Sequence, residues 1–173
     1  TGVDVNAQYK FDLDMVGLDG AGGLRMELIG TWLDELITDP GAASGALPYD
    51  CAGFHSSGVC GTPNPEWRHR FRATWQTPWD TDLTMTWRYY GEVTQFTDTP
   101  AALDHKFDAE NYIDLAASIG LPLNTRLRLG VNNVFDNDPP ISDNVGTTGN
   151  GNTYPQTYEA RGRWMFMGIT VDM

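Results

Sequence analysis

Lysine is nearly missing from this chain of 173 residues, with only Lys10 and Lys106. A sheet washed by water on one face normally uses lysine freely there, so its scarcity is the first unusual feature. Long apolar runs are missing too. No stretch approaches the roughly 18 apolar residues of a membrane-spanning helix. A basic surplus is absent: 11 Lys and Arg stand against 23 Asp and Glu, a formal charge of -12. Phosphate backbones demand the opposite balance, so nucleic acid is excluded as a partner. Residues 1–10 show neither the basic start nor the apolar centre of a signal peptide, as expected of a processed or truncated chain.

Cysteine is equally sparse. Cys51 and Cys60 flank a short Gly/Ser-rich segment, with no His or Cys at metal spacing. The pair points to a local disulfide rather than a zinc site, and so to an oxidising compartment outside the cytoplasm. Two free thiols are the alternative. Catalytic groupings are lacking as well. His55, His69 and His105 fall on separate segments, and Ser56 and Ser57 have no nucleophile-elbow context. The run Asp136, Asp138, Asp143 lacks the Gly and Glu offsets of an EF-hand. No enzyme activity, metal or other cofactor is expected.

What is abundant is alternation. The mean hydropathy is only -0.37, yet there are six Trp, seven Tyr and seven Phe. Seven segments place apolar and polar residues at period two, the strand signature. They cover about residues 3–16, 24–33, 67–76, 83–90, 111–119, 126–132 and 163–173. In the first, Val3, Val5, Ala7, Tyr9, Phe11 and Leu13 share one face, and Asp4, Asn6, Gln8, Lys10, Asp12 and Asp14 the other. In the third, Trp67, His69, Phe71, Ala73 and Trp75 oppose Arg68, Arg70, Arg72, Thr74 and Gln76. In the last, Met165, Met167, Ile169, Val171 and Met173 line one face.

The connections alternate short (residues 17–23, 77–82, 120–125) and long (34–66, 91–110, 133–162). Antiparallel strands in chain order produce this pattern, and outer-membrane barrels have short turns inside and long loops outside. The strands are long enough to cross a bilayer at a tilt. Arg68, Arg70, Arg72, Arg88, Arg126 and Arg128 fall on polar faces and are expected to line a lumen. Trp32, Trp67, Trp75, Trp79, Trp87, Tyr9 and Tyr89 lie at strand ends or on apolar faces, where aromatic girdles form. A soluble extracellular β-sandwich binding module would alternate as well and is the competing architecture.

Two stretches bear a family likeness: residues 127–140 (LRLGVNNVFDNDPP) and 160–173 (ARGRWMFMGITVDM). They resemble the penultimate and closing strands of TonB-dependent outer-membrane receptors, with Tyr154 and Tyr158 in the loop between. Residues 50–70 resemble a disulfide-bearing outer loop of some members. The family usually ends in an aromatic residue, whereas this chain ends in Met173. The resemblance implies an all-β, antiparallel transmembrane meander: about seven C-terminal strands of a 22-stranded barrel in a Gram-negative outer membrane. The plug domain, the TonB box and the remaining strands would lie elsewhere. It further implies active, TonB-coupled uptake of a scarce nutrient such as a siderophore or carbohydrate. Barrel remainder, plug, TonB, outer-membrane lipid and a small-molecule substrate would be the partners. A passive porin is the alternative transport reading. For substrate contact the candidates are the loop aromatics Tyr49, Phe54, His55, Phe96, Tyr154 and Tyr158. Such residues also pack on one another, and both roles stay open.

Overall fold

The computed structural model describes residues 1–41, 45–56, 58–96, 105–142 and 151–172; Ser57, Asp143 and Met173, named above, lie outside the described residues. Its strands are β1 (Gly2–Asp12), β2 (Gly23–Leu33), β3 (Ile37–Thr38), β4 (Tyr49–Asp50), β5 (Phe54–His55), β6 (Trp67–Gln76), β7 (Thr81–Tyr90), β8 (Val93–Gln95), β9 (Lys106–Phe107), β10 (Glu110–Leu121), β11 (Thr125–Asn132) and β12 (Trp164–Val171).

The seven long strands form one antiparallel sheet in the order β1-β2-β6-β7-β10-β11-β12. Each therefore pairs with its predecessor among the long strands, as the alternating connections require. All seven fall where period-two alternation places them. The first is shorter than its pattern. Alternation runs to Val16, but β1 stops at Asp12 and Leu13–Val16 form a 3-10 turn. The cause is local polar chemistry. The Asp14 carboxylate accepts the Gly20 N–H at 2.8 Å, and Gly17 takes φ 83, a left-handed conformation that glycine adopts without steric cost.

Cross-strand register carries the two faces across the whole sheet. One row reads Phe11, Leu24, Trp75, Leu83, Ala117, Leu129, Met167, and the next reads Tyr9, Met26, Ala73, Met85, Leu115, Val131, Met165. Between them on the opposite side runs Lys10, Arg25, Thr74, Thr84, Ala116, Gly130, Phe166. Among the described residues, neither face is covered by a second layer. On the apolar side Tyr9 is 60% exposed, Met165 76% and Met167 71%. The sheet is also open laterally: β1 and β12 are its edges, and among the described residues no strand pairs with the outer side of either.

The buried core lies instead in the long connections. Val93, Phe107, Tyr154 and Tyr158 cluster there, with Tyr90 packed against them. The short strands β5, β8 and β9 make a second sheet in which β5 and β8 run parallel. The first and second long connections are thereby joined, and Tyr154 and Tyr158 bring in the third. The result is a loop cap at one end of the sheet. Burying each of these large side chains contributes about 1.5–3 kcal/mol, which offsets the entropy of ordering long loops.

Candidate functional site

The polar face of the sheet and the loop cap are the two surfaces on which the candidate residues fall. On the polar face, Arg88 is the best-anchored cation. Its Nε and Nη2 each donate to a different oxygen of Asp114, both at 2.9 Å. Its Nη1 and Nη2 reach Glu159 at 3.5 Å. Its guanidinium also lies 5.2 Å from the centroid of the Tyr112 ring. Asp114 additionally accepts the Asn133 N–H at 2.9 Å. The network therefore pins the third long connection, through Glu159, to β7 and β10. Such bidentate pairs are the strong form of charged hydrogen bond. Arg126 pairs with Asp80 at 3.0 Å, and Gly120 leaves the space in which the Asp80 carboxylate sits.

Arg68, Arg70, Arg72 and Arg128 share this face but form no ion pair among the described residues. Arg70 stands directly across from Arg88, and Arg72 directly across from Glu27. The face thus mixes two kinds of arginine, one neutralised and one not. Alternation places all six arginines on polar faces and carries no sign of this division. Of the two residues that complete the Arg88 network, Asn133 belongs to the motif of residues 127–140, whereas Glu159 carries no cue in the sequence. Asn133 does have a visible cue, because consecutive Asn residues at a strand end favour turn conformations.

The two motif stretches meet in space. Asn133 takes φ 50, donates from Nδ2 to the Asn137 carbonyl at 2.9 Å and accepts the Asn137 N–H at 3.0 Å. This turn ends β11. Asp136 then accepts the Arg163 N–H at 2.7 Å, and the Arg163 guanidinium reaches the Val134 carbonyl at 3.3 Å. The carboxylate of Asp136 is therefore engaged in positioning β12. Among the described residues, no group of three or more His, Cys, Asp or Glu is placed to hold a metal.

In the cap the loop aromatics separate into two groups. Tyr49 and Phe54 both contact Phe96, with ring centroids 5.4 and 5.5 Å apart, and all three remain partly exposed. His55 is fully buried, stacked 4.2 Å from Phe107, with the Tyr154 hydroxyl 3.5 Å from Nδ1. Tyr154 and Tyr158 are buried beside it. Burial pushes the Tyr158 phenol well above its ordinary range, so it is neutral. His55, Tyr154 and Tyr158 thus form the interior of the cap, and the exposed aromatic surface belongs to Tyr49, Phe54 and Phe96. Cys51 and Cys60 are joined in a disulfide, Cα atoms 5.4 Å apart, as their spacing predicts. Asp50 beside it accepts the N–H groups of Leu36 and Ala52 at 2.8 and 3.0 Å. These bonds hold its carboxyl below the usual aspartate range.

The chain matches no family model, no curated protein and no solved structure.

Proposed function

We propose that this chain forms part of the wall of an outer-membrane transport barrel, of the kind that takes up a scarce nutrient with TonB-coupled energy. The observation that carries the reading is the uncovered apolar face. Twelve large apolar side chains on it are exposed: Val3, Tyr9, Trp32, Leu83, Met85, Leu115, Leu121, Leu129, Met165, Met167, Ile169 and Val171. Full burial of each is worth about 1.5–3 kcal/mol, and about half of each lies open, so leaving them in water forgoes on the order of 10–20 kcal/mol. That matches the whole net stability of a typical domain, about 5–15 kcal/mol. Lipid is the natural cover for such a face.

The aromatic side chains support the same reading. Trp32, Trp67, Trp87 and Tyr89 ring the cap end of the face, while Tyr9, Phe11, Trp75 and Trp79 lie toward the short turns. Trp67 and Trp75 lie eight residues apart on β6. At about 3.3 Å per residue this is roughly 26 Å along the strand, which at the tilt of a barrel strand spans about 20 Å of height, most of an apolar barrel band. The uptake role rests on the resemblance of residues 127–140 and 160–173 to the closing strands of TonB-dependent receptors. The contact between Asp136 and Arg163 gives those two stretches a shared structural task.

Two measurements test this. A fluorophore attached at position 167 should be quenched by lipid-borne quenchers, and one at position 128 should not. Uptake in intact cells should stop when the proton gradient is dissipated. Continued uptake would indicate a passive porin. A water-soluble protein with an unquenched label at position 167 would indicate a sandwich module instead.

A further inference from the structure

The polar face carries a local reversal of the molecule's charge. A hollow of about 360 Å³ opens there, with Arg70, Arg72, Arg88 and Arg128 around it and Asp114 as its one lining carboxylate. Four positive side chains stand against Asp114 and against Glu159, which reaches Arg88 from the third long connection, leaving +2 at the hollow in a chain whose formal charge is -12. The sequence builds the hollow by side-chain length. The row Thr74, Thr84, Ala116 consists of short side chains and forms the floor. The long arginines stand on either side, Arg70, Arg72 and Arg88 above and Arg128 below. The Phe166 ring closes the end of the row by packing over Gly130, where a side chain would collide with it.

The charges inside are not already consumed. Asp114 has one oxygen shared by Arg88 and the Asn133 N–H and the other bonded to Arg88. Arg70, Arg72 and Arg128 form no ion pair among the described residues. Glu27 and Asp82 occupy the same face, across from Arg72 and beside Ser118 respectively, yet neither comes within ion-pair distance of these three. Arg70 and Arg88 face each other directly across two strands, an arrangement that costs stability between like charges. Arg88 is compensated by Asp114 and Glu159, whereas Arg70 is not. A guanidinium offers several donors in a fixed fork that matches planar and tetrahedral oxyanions, and the hydroxyls of Thr74, Thr84 and Thr86 lie on the same surface.

We propose that this hollow binds an oxyanion, the carboxylate, phosphate or sulfate group of a small solute moving along the polar face. The proposal rests on the barrel reading, which makes that face the wall of an aqueous passage. It gives the transported solute a sign: anionic.

The test uses the intact protein folded in detergent micelles, titrated calorimetrically with citrate, inorganic phosphate and inorganic sulfate, with sucrose as the neutral probe. At least one anion should bind and sucrose should not match it. Arg70→Gln/Arg72→Gln and Arg128→Gln should each weaken that binding at least about tenfold, roughly 1.4 kcal/mol. Arg25→Gln, which removes the same charge elsewhere on the face, should leave it within about twofold. Should the variants misfold, modification of the unaltered protein by phenylglyoxal decides. The bound anion should protect Arg70, Arg72 and Arg128 and leave Arg25 reactive. No anion binding, equal loss in Arg25→Gln, or uniform protection of all arginines would overturn the proposal. Lipid quenching at position 167 together with any of those outcomes would retain the barrel wall and reject only the oxyanion site.

Discussion

Arg88 shows how much one side chain can settle. It is the only described residue that salt-bridges a sheet strand, through Asp114, and a long connection, through Glu159. Both carboxylates are mostly shielded from solvent, at 17% and 10% side-chain exposure. Replacing Arg88 by Met should leave Asp114 without a counter-charge and Glu159 with only the exposed Arg161, and destabilise the folded protein by about 2–4 kcal/mol. A urea titration of detergent-folded protein measures this. Asp50 supplies a pH-dependent counterpart. Its carboxylate titrates below the usual aspartate range because it accepts two backbone N–H groups. A depressed pKa adds stability that is complete above the unfolded value of about 3.9 and is lost as pH falls through the lower folded value. The protection of the Leu36 and Ala52 amides against exchange, taken relative to free amides at the same pH, should therefore fall as pH drops below about 4. The same two amides should lose that pH dependence in Asp50→Asn.

Among the strands, β12 offers the sharpest comparison, because neighbouring positions on it meet opposite surroundings. Met167 lies on the apolar face and Gly168 on the polar one. Met167→Arg should cost about 2–4 kcal/mol if the site is near the bilayer midplane. Gly168→Arg should cost only about 1 kcal/mol, because a Cβ there meets nothing within 4 Å and the loss is confined to the like charge of Arg128 directly across. Equal costs at the two positions in equilibrium unfolding would show that neither face meets lipid. The disulfide works at this scale too. Its loop is short, so Cys51→Ser/Cys60→Ser should lose about 2–3 kcal/mol in the chain-entropy model. The loss should appear as faster exchange at Gly53 and Phe54 rather than in β6 or β7.

Across the whole molecule, the edges decide what this sheet belongs to. Both β1 and β12 leave backbone groups without strand partners on one side. In hydrocarbon each such group costs several kcal/mol, which only a closed barrel avoids. In the assembled protein, amides along β1 and β12 should exchange as slowly as those of β6 and β7. Rapid exchange of the outward amides on both edges, in lipid, would contradict the barrel.

Much of this was legible along the chain. Period-two alternation marks the long strands and assigns each side chain to a face, because successive residues in a strand must point opposite ways. With short turns between them, chain order then fixes sheet order. The six arginines on one face and the disulfide of Cys51 with Cys60 follow from the same local information. What alternation could not register is any contact between residues far apart in the chain. Nor does it register local polar chemistry: the turn at Leu13–Val16 interrupts the pattern because Asp14 accepts the Gly20 N–H. The small sheet of β5, β8 and β9 joins two long connections whose sequences carry no signal of each other. Burial of His55, Tyr154 and Tyr158, and the partial exposure of Tyr49, Phe54 and Phe96, depend on how three loops close together. The alternation in the chain was enough for the long strands and for the face on which each side chain falls. Which arginines are neutralised, and which stand open around a hollow, waited on the folded molecule. That outcome depends on cross-strand register and loop docking, which bring Asp114 and Glu159 to Arg88 and leave Arg70, Arg72 and Arg128 with no carboxylate at ion-pair distance among the described residues.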